Sequence, residues 1–261
     1  MSTIRGARHR ARIEVTAAIK DEARKQLAAE GAAKLSLRAV ARELGMVSSA
    51  LYRYFPSRDD LLTALIIDAY DAVGAAAETG LATATTATTA KPDDHVARWT
   101  ALCSAVRTWA LAHPHEYALI FGSPVPGYTA PQDTVQPASR VGQALITIAR
   151  DAHRSGGIAL PPLAEELRPE AHRLTADVAP DLPPAVVAAL VAAWAELFGL
   201  ISFEIFGQFN RVVEARDLFF AQAAARLAHE VGLRHRHAAG TPRGTSPGTL
   251  PGTLPGDSAG S

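Results

Sequence analysis

Apolar residues recur every three or four positions through most of this chain, which is the spacing of the buried face of an α-helix. Alternation of apolar and polar residues, the pattern typical of strands, is not convincing anywhere. The pattern predicts helices at about 12–30, 37–44, 48–55, 57–77, 94–112, 114–121, 138–155, 163–175, 184–209 and 214–232. The sequence therefore predicts an all-α fold.

Two short helical patterns near the N-terminus are separated by a tight turn. Ser36 is a predicted N-cap, because its hydroxyl can accept a hydrogen bond from a free backbone N–H group of the first turn. Gly45 follows the last apolar position, where a left-handed backbone is easiest for glycine. The second pattern begins with a hydroxyl cap at Ser48 or Ser49 and ends before Pro56, because a residue preceding proline avoids helical angles. A helix this short depends on packing for its stability, as in a helix-turn-helix.

The second short helix carries most of the side chains that we predict to contact DNA. An α-helix fits the major groove, where arginine reads guanine and a methyl group contacts thymine. Arg53 is therefore the expected base reader, while phenolic hydroxyls and the N-terminus of the next helix suit phosphate groups. Core burial remains an alternative for Tyr52, and an intramolecular ion pair remains one for Arg53 and Arg58. The predicted DNA-binding residues are Ser36, Arg38, Ser48, Ser49, Ala50, Tyr52, Arg53, Tyr54 and Arg58.

The formal net charge of zero hides an asymmetry between the two ends of the chain. Residues 1–58 contain twelve Lys and Arg against five Asp and Glu, whereas residues 59–261 contain fourteen against twenty-one. A basic segment attracts the phosphate backbone, and this one coincides with the predicted helix-turn-helix. A solvated basic face without a partner is the alternative. The charge distribution favours nucleic acid as a partner.

The first four predicted helices carry a specific set of apolar, glycine and aromatic residues. The set comprises Ile19, Ala23, Leu27, Gly31, Ser36, Leu37, Val40, Ala41, Leu44, Gly45 and Val47. It ends in the run Leu51-Tyr52-Arg53-Tyr54-Phe55-Pro56-Ser57-Arg58, followed by Leu61 and Leu62. Over roughly residues 12–75 this set resembles the TetR family of bacterial transcriptional regulators. Ala50 stands where threonine is frequent in the family, and Tyr54 where histidine is frequent.

The resemblance to the TetR family implies a function and a set of partners. Members are homodimeric DNA-binding regulators, by default repressors, and the dimer matches a palindromic operator on double-stranded DNA. A small-molecule effector releases such a repressor by favouring a dimer whose two reading helices are wrongly spaced for DNA. We therefore expect a three-helix helix-turn-helix domain followed by a helical domain for ligand binding and dimerisation.

A second aromatic pattern begins at the end of the fifth predicted helix. Trp109 and His113 are four residues apart and share a helical face, and Tyr117 and Phe121 repeat that spacing before a proline-rich loop. Aromatic walls with a few polar tips suit a small ligand, although an ordinary helical core explains the spacing equally. The segment is similar to the WHG type of C-terminal domain found in a subset of TetR regulators. The predicted effector pocket is Trp109, His113, Tyr117, Phe121 and Tyr128.

The last two predicted helices form the expected dimer surface. The first of them is apolar enough to suggest a membrane span, but Glu196 and Glu204 fall inside it and are costly in lipid. We therefore expect no membrane contact and a helix buried on several sides, either between subunits or, alternatively, in the core of a monomer. The predicted interface residues are Val187, Leu190, Trp194, Leu197, Ile201 and Ile205.

The same patterns divide the chain into five segments. Residues 1–11 are expected to be a flexible basic arm that tracks the DNA backbone, enters the minor groove or stays unengaged. The other segments are a DNA-binding domain at 12–77 with its helix-turn-helix at about 36–55, a Thr- and Ala-rich linker at 78–93, a helical domain at 94–233, and a disordered tail at 234–261.

The sequence offers little chemistry for an enzyme. Its single cysteine, Cys103, excludes an internal disulfide framework and gives no support for a cysteine-based zinc site. No nucleophile elbow, phosphate-binding glycine loop or HExxH motif occurs. We expect no catalytic residues, no metal, no cofactor and a cytoplasmic location, since the basic N-terminus is not followed by the apolar core of a signal peptide. A helical enzyme or a ligand-binding protein that does not act on DNA is the alternative.

Overall fold

The computed structural model describes residues 2–86 and 94–234. Within them the regular structure is helical apart from an isolated antiparallel bridge between Ile158 and Leu233, which confirms the predicted all-α fold. The helices are α1 (Ser2–Glu30), α2 (Leu37–Glu43), α3 (Ser48–Leu51), α4 (Arg58–Thr86), α5 (His95–Ala112), α6 (Pro114–Phe121), α7 (Val135–Arg154), α8 (Arg168–Val178), α9 (Pro184–Ile205) and α10 (Arg216–Glu230).

The first hydrophobic core lies between α1, α2, α3 and the N-terminal half of α4. Ile19 and Ala23 of α1 and Leu61 and Leu62 of α4 have no exposed surface. Because α3 has little more than one turn, its position depends on this core rather than on helical stability of its own. The core therefore sets the orientation of the predicted reading helix.

The helix α1 begins ten residues earlier than the apolar pattern predicts, at Ser2 instead of Arg12. Residues 2–11 are therefore helical and continuous with α1, and the expected flexible arm is corrected on this point. Alanine and arginine are good helix formers and no proline interrupts the segment. The sequence does not predict helix at residues 2–11, because this segment lacks the stripe of apolar residues that indicates a helix.

The helix α4 continues to Thr86, so residues 78–86 are helix and not linker. Threonine is a poor helix former, but hydroxyls near the end of α4 donate to carbonyl oxygens four residues earlier. Gly80 also lets this part of α4 approach α5 closely. Packing against α5 thus overrides the low-complexity composition. Residues 87–93, the rest of the predicted linker, lie outside the described residues, as do residues 235–261 of the predicted tail.

The second hydrophobic core lies between the C-terminal half of α4 and the helices α5 to α10. Trp99 and Leu102 of α5, Ile148 of α7, Leu197 of α9 and Leu227 of α10 are fully buried in it. The helix α4 contributes to both cores, with its first turns in one and its middle turns in the other. A displacement of α4 is therefore transmitted from one domain to the other.

Polar contacts also join the two domains. Arg24 of α1 forms ion pairs with Asp68 of α4 at 2.6 Å and with Glu116 of α6 at 3.0 Å. The hydroxyls of Thr63 and Tyr128 form a hydrogen bond of 2.9 Å across the same boundary. Partly exposed pairs such as these contribute little stability individually. Together they link α1, α4 and α6.

Candidate nucleic-acid interface

The turn between α2 and α3 is held by specific backbone contacts. The hydroxyl oxygen of Ser36 accepts a hydrogen bond from the backbone N–H of Ala39 at 3.4 Å, which confirms the predicted N-cap of α2. Gly45 has a φ of 64°, in the left-handed region. The N–H of Met46 donates to the carbonyl of Ala41 at 2.8 Å. These contacts set the direction in which α3 leaves the turn.

The helix α3 comprises Ser48–Leu51 with Val47 at its N-cap position, so neither serine hydroxyl caps it as predicted. Helical hydrogen bonding nevertheless continues, because the N–H groups of Tyr54 and Phe55 donate to the carbonyl of Leu51 at 2.8 and 3.1 Å. Leu51 and Phe55 are both buried in the first core. These two side chains anchor the segment to the domain.

The side chains around these two anchors form the outer surface of the module. Tyr52 is 40% exposed, and Arg53 and both serines are exposed, whereas Ala50 is partly buried. Within residues 2–86 and 94–234 the guanidinium of Arg53 makes no hydrogen bond or ion pair. The alternatives of a core tyrosine and an ion-paired Arg53 therefore do not describe this surface. Hydroxyl, phenol and guanidinium donors therefore project from α3 and the segment that follows it, and such donors can contact base edges.

Tyr54 occupies a different environment from Tyr52. It is partly buried at the edge of the first core, and the guanidinium carbon of Arg12 lies 5.3 Å from the centroid of its ring. This cation–π contact fastens α1 to the segment that follows α3. Sequence reasoning missed Arg12 because the two residues are far apart in the chain and share no motif.

The two predicted contacts at the start of α2 have different environments. Arg38 is exposed in the first turn, and Ser36 is partly buried. The Ser36 hydroxyl accepts from the backbone at its oxygen and still has a hydrogen to donate. Both side chains are therefore compatible with a phosphate contact.

Arg58 lies at the start of α4 and points back into the protein. Its guanidinium donates to the carbonyl oxygens of Ala32, Ala33 and Leu35 at 2.8, 3.2 and 3.2 Å. It also lies 3.6 Å from the carboxylate of Asp59. The three carbonyls belong to the turn between α1 and α2, so Arg58 ties α4 to the start of the helix-turn-helix. Its Nε and Nη2 donors are engaged by these carbonyls, which gives Arg58 a positioning role. Its Nη1 group makes only the contact with Asp59, so the phosphate contact of Arg58 stays a prediction.

The residues of the predicted effector pocket serve mainly to pack helices together. His113 stacks on Trp109 with ring centroids 5.3 Å apart, at the end of α5. Tyr117 is fully buried; its hydroxyl donates to the carbonyl of Phe198 at 3.0 Å and lies 2.8 Å from the hydroxyl of Ser202. Burial raises the pKa of Tyr117 to about 12, so its phenol stays neutral. The helical-core alternative describes these residues better.

The other two residues of that predicted pocket point to different cores. Phe121 stacks on Phe198 of α9 with ring centroids 4.1 Å apart. Tyr128 lies at the edge of the first core, where its hydroxyl meets Thr63. Tyr117, Phe121 and Tyr128 are therefore contacts between helices. Trp109 and His113 also line an open cavity of about 730 Å³ between α4 and α5, so a ligand contact of these two residues stays a prediction. The four-residue spacing places these side chains on one helical face, but it does not tell whether that face contacts a ligand or a neighbouring helix.

The predicted dimer stripe on α9 faces the inside of the domain. Val187, Leu190, Leu197 and Ile201 are 5% exposed or less in the second core. Ile205 is partly buried, and Trp194 is 40% exposed. Four of the six predicted interface residues therefore lie on a core face, whereas Trp194 is not buried. The opposite face of α9 is largely apolar and is exposed at Ala192, Ala195, Gly199 and Phe203, with the exposed Glu196 beside them and Phe206 just beyond the helix end.

The helix α9 is long and apolar enough, by length and composition alone, to cross a membrane. Its Glu204 accepts two hydrogen bonds of 2.7 Å from Arg107 of α5, and Arg107 also donates to Asp217 of α10 at 2.8 Å. The hydrogen bonds with Glu204 raise the pKa of Arg107, so the guanidinium stays charged. This charged cluster and the buried stripe identify α9 as a helix of a folded helical domain.

The part of the chain that the structure describes contains no group of three or more His, Cys, Asp or Glu that could hold a metal ion. Cys103 is buried in α5, and burial raises the pKa of its thiol, which keeps the sulfur protonated and unreactive. Fold and site together define a helix-turn-helix DNA-binding protein with an additional helical domain.

Comparison with known proteins gives the family. The family model described as bacterial regulatory proteins, tetR family, matches residues 19–65, and the one described as tetracyclin repressor-like, C-terminal domain, matches residues 99–227. The chain is 39% identical to the HTH-type transcriptional regulators Rv1816 of Mycobacterium tuberculosis and Mb1846 of Mycobacterium bovis, with 78% of this chain and 86% of each relative covered. The chain therefore belongs to the TetR family of transcriptional regulators, which act by binding DNA.

A solved structure supports the same assignment. The crystal structure of the regulatory protein SCO4313 is 32% identical and matches with a TM-score of 0.66, covering 85% of this chain and 98% of that one. Members of the family are regulators and not enzymes, which is consistent with the absence of catalytic motifs from the sequence.

Proposed function

We propose that the protein is a homodimeric repressor that binds a palindromic operator and leaves it when a small-molecule effector binds. The observation that carries the proposal is the surface of α3, where Ser49, Tyr52 and Arg53 project outward while Leu51 and Phe55 anchor the segment. A single module of this size reads few bases. Two copies related by a two-fold axis read two half-sites about 34–36 Å apart.

The exposed apolar face of α9 supports the dimer. Ala192, Ala195, Gly199, Phe203 and Phe206 recur every three or four residues and are exposed. An extended apolar face of this kind marks a protein–protein contact, and a two-fold axis makes it self-complementary. Phe219 of the neighbouring α10 is 43% exposed and extends the surface, because the ring of Phe209 lies 5.7 Å from that of Phe203 and 5.5 Å from that of Phe219. We place the dimer contact on this face.

Effector release follows from the shared helix α4. A ligand that prefers one arrangement of the C-terminal domain shifts the population toward it, and α4 carries the change to the helix-turn-helix. We also propose that residues 109–128 belong to a C-terminal domain of the WHG type, which they resemble. A regulator acts where its operator lies, so we propose a cytoplasmic location.

The proposal is tested by the retention of DNA. The full chain is mixed with labelled DNA flanking its own gene and with a random pool, and bound sequences are recovered. We expect selective retention of a palindrome. Recovery of no preferred sequence, or turnover of a small molecule without DNA affinity, contradicts the proposal.

Two substitutions locate the reading surface. Arg53→Ala removes a donor to a base edge and is expected to cost about 1–3 kcal/mol of operator binding and to relax the preference at one base pair. Arg168→Ala is the matched control, since Arg168 is exposed on the C-terminal domain. Operator affinity at fixed salt is measured for both. Equal affinities of the two variants and the unaltered protein would refute a reading role for Arg53.

A further inference from the structure

A cavity of about 470 Å³ lies between α7, α8 and α9. Its volume falls in the range of sites that hold small molecules. Four large apolar side chains that are more than one-third exposed all lie on its wall: Val135, Val178, Val191 and Trp194. Exposed apolar residues scattered singly need no explanation, but four around one concavity indicate a binding surface.

A few polar groups interrupt this apolar wall. Ser139 and Gln143 of α7 and Asp177 of α8 line the same cavity. The carboxylate of Asp177 lies 3.1 Å from Arg173 and is the one charged group among the lining residues. Arg173 also pairs with Glu170, so two carboxylates stand against one guanidinium at this edge and the excess negative charge disfavours an anion. A carboxylate oxygen also accepts from an uncharged N–H or O–H donor. The lining of the cavity therefore favours a ligand without negative charge.

We propose that this cavity is the effector site, and that it takes a neutral, mainly aromatic small molecule carrying at least one hydrogen-bond donor. This inference rests on the proposed function as a ligand-released regulator. It replaces the aromatic cluster around Tyr117, which is filled by its own side chains, as the place where a ligand binds.

The cavity is well placed to act on the DNA-binding domain. Arg140 follows the lining residue Ser139 on α7 and reaches across to α4, where it donates to both carboxylate oxygens of Glu78 at 2.9 and 2.7 Å. It also donates to the carbonyl and carboxylate of Asp71. A β-carbon at Gly74 would lie only 2.7 Å from the β-carbon of Arg140, so α7 and α4 are in close contact here. A ligand that displaces α7 therefore displaces α4.

Gly142 offers a way to close the cavity without disturbing the fold. It lines the cavity, and a β-carbon at this position has nothing within 4 Å. Leucine at this helical position projects into the open space, and leucine and alanine are both better helix formers than glycine. Gly142→Leu is thus the blocking variant and Gly142→Ala its matched control.

The test uses a matched pair of fluorescent probes with the full chain in the absence of DNA. N-phenylnaphthylamine is neutral and has one N–H donor, and anilinonaphthalenesulfonate adds a sulfonate to the same ring system. We expect saturable binding of the neutral probe, about tenfold weaker binding of the sulfonate, and a smaller difference between them in Asp177→Asn. Gly142→Leu is expected to lower the affinity for the neutral probe about tenfold or more, and Gly142→Ala less than about twofold.

Each other outcome overturns the assignment. Absence of saturable binding, or equal binding by Gly142→Leu, excludes the cavity as the site. A Gly142→Leu variant that sediments as a monomer while the unaltered protein is a dimer shows that a second copy of the chain fills the cavity. Binding of the full chain to its operator DNA is measured separately, in the absence of either probe. Lost retention refutes the proposed function, whereas retained DNA binding without probe binding refutes only this site.

Discussion

Arginine has two different tasks in the helix-turn-helix domain. Arg53 projects from the segment after α3 without a partner among the described residues, and Arg58 is directed inward by three backbone carbonyls. Sequence spacing predicts a DNA contact for both, because each stands next to the reading helix. The difference arises from the turn before α2, whose carbonyls need a donor that only the tertiary structure brings to them.

Arg58→Ala is expected to lower the free energy of unfolding by about 1–3 kcal/mol, because three carbonyls lose a charged donor. Arg53→Ala is the matched control and is expected to stay within about 0.5 kcal/mol of the unaltered protein, since its side chain is exposed. Urea unfolding followed by circular dichroism measures both. Equal stabilities of the two variants would contradict the positioning role of Arg58.

The extent and position of the helices in this protein depend more on close contacts between helices than on the helix propensity of their residues. The helix α4 runs through a threonine-rich stretch because Gly80 brings it against α5, where a β-carbon would lie 2.6 Å from that of Ala105 and 3.0 Å from the carbonyl oxygen of Ala101. The helix α3 has weak helical stability of its own and is positioned by Leu51 and Phe55. Local sequence alone is a poor guide to either helix.

Gly80→Ala is expected to destabilise the protein by about 1–3 kcal/mol, although alanine is the better helix former, because α4 and α5 must move apart. Gly142→Ala provides the opposite case, since its β-carbon meets open space, and is expected to stabilise by up to about 1 kcal/mol. Thermal unfolding of the two variants gives the comparison. A Gly80→Ala protein as stable as the unaltered one would show that the α4–α5 contact is looser than described.

At the scale of the whole molecule, α9 is apolar on two opposite faces. One face, with Leu197 and Ile201, closes the second core, and the other, with Gly199 and Phe203, is exposed. The exposed face gives the proposed homodimer its contact, while α4 and the ion pairs of Arg24 join the two domains within each subunit. In the proposed dimer, the geometry of this contact sets the spacing of the two copies of α3.

Phe203→Glu is expected to convert the proposed dimer into a folded monomer, because the substitution buries an unpaired charge at the contact. Leu160→Glu introduces the same charge at a side chain that is 69% exposed in a loop, and it is expected to leave the dimer intact. Sedimentation at micromolar concentration, with circular dichroism as a check of folding, measures the two variants. A dimeric Phe203→Glu protein would place the subunit contact elsewhere.

Periodicity and end signals in the sequence determined the helical class and most helix positions. Ser36 caps α2, Gly45 takes the left-handed turn, and α6 begins at Pro114, as predicted. These features are local, since each depends on residues within one or two turns of the chain. The family resemblance likewise depends on residues within one continuous segment, at about 12–75.

Only the tertiary structure decided which neighbour each apolar or charged side chain meets. The stripes at Tyr117 and at Leu197 have the predicted spacing, but they pack against other helices of the same chain and not against a ligand or a second subunit. Contacts between residues distant in sequence also direct Arg58 to backbone carbonyls and form the open cavity beside Gly142. The physical reason is that helical spacing specifies a face, whereas burial of that face depends on residues distant in sequence.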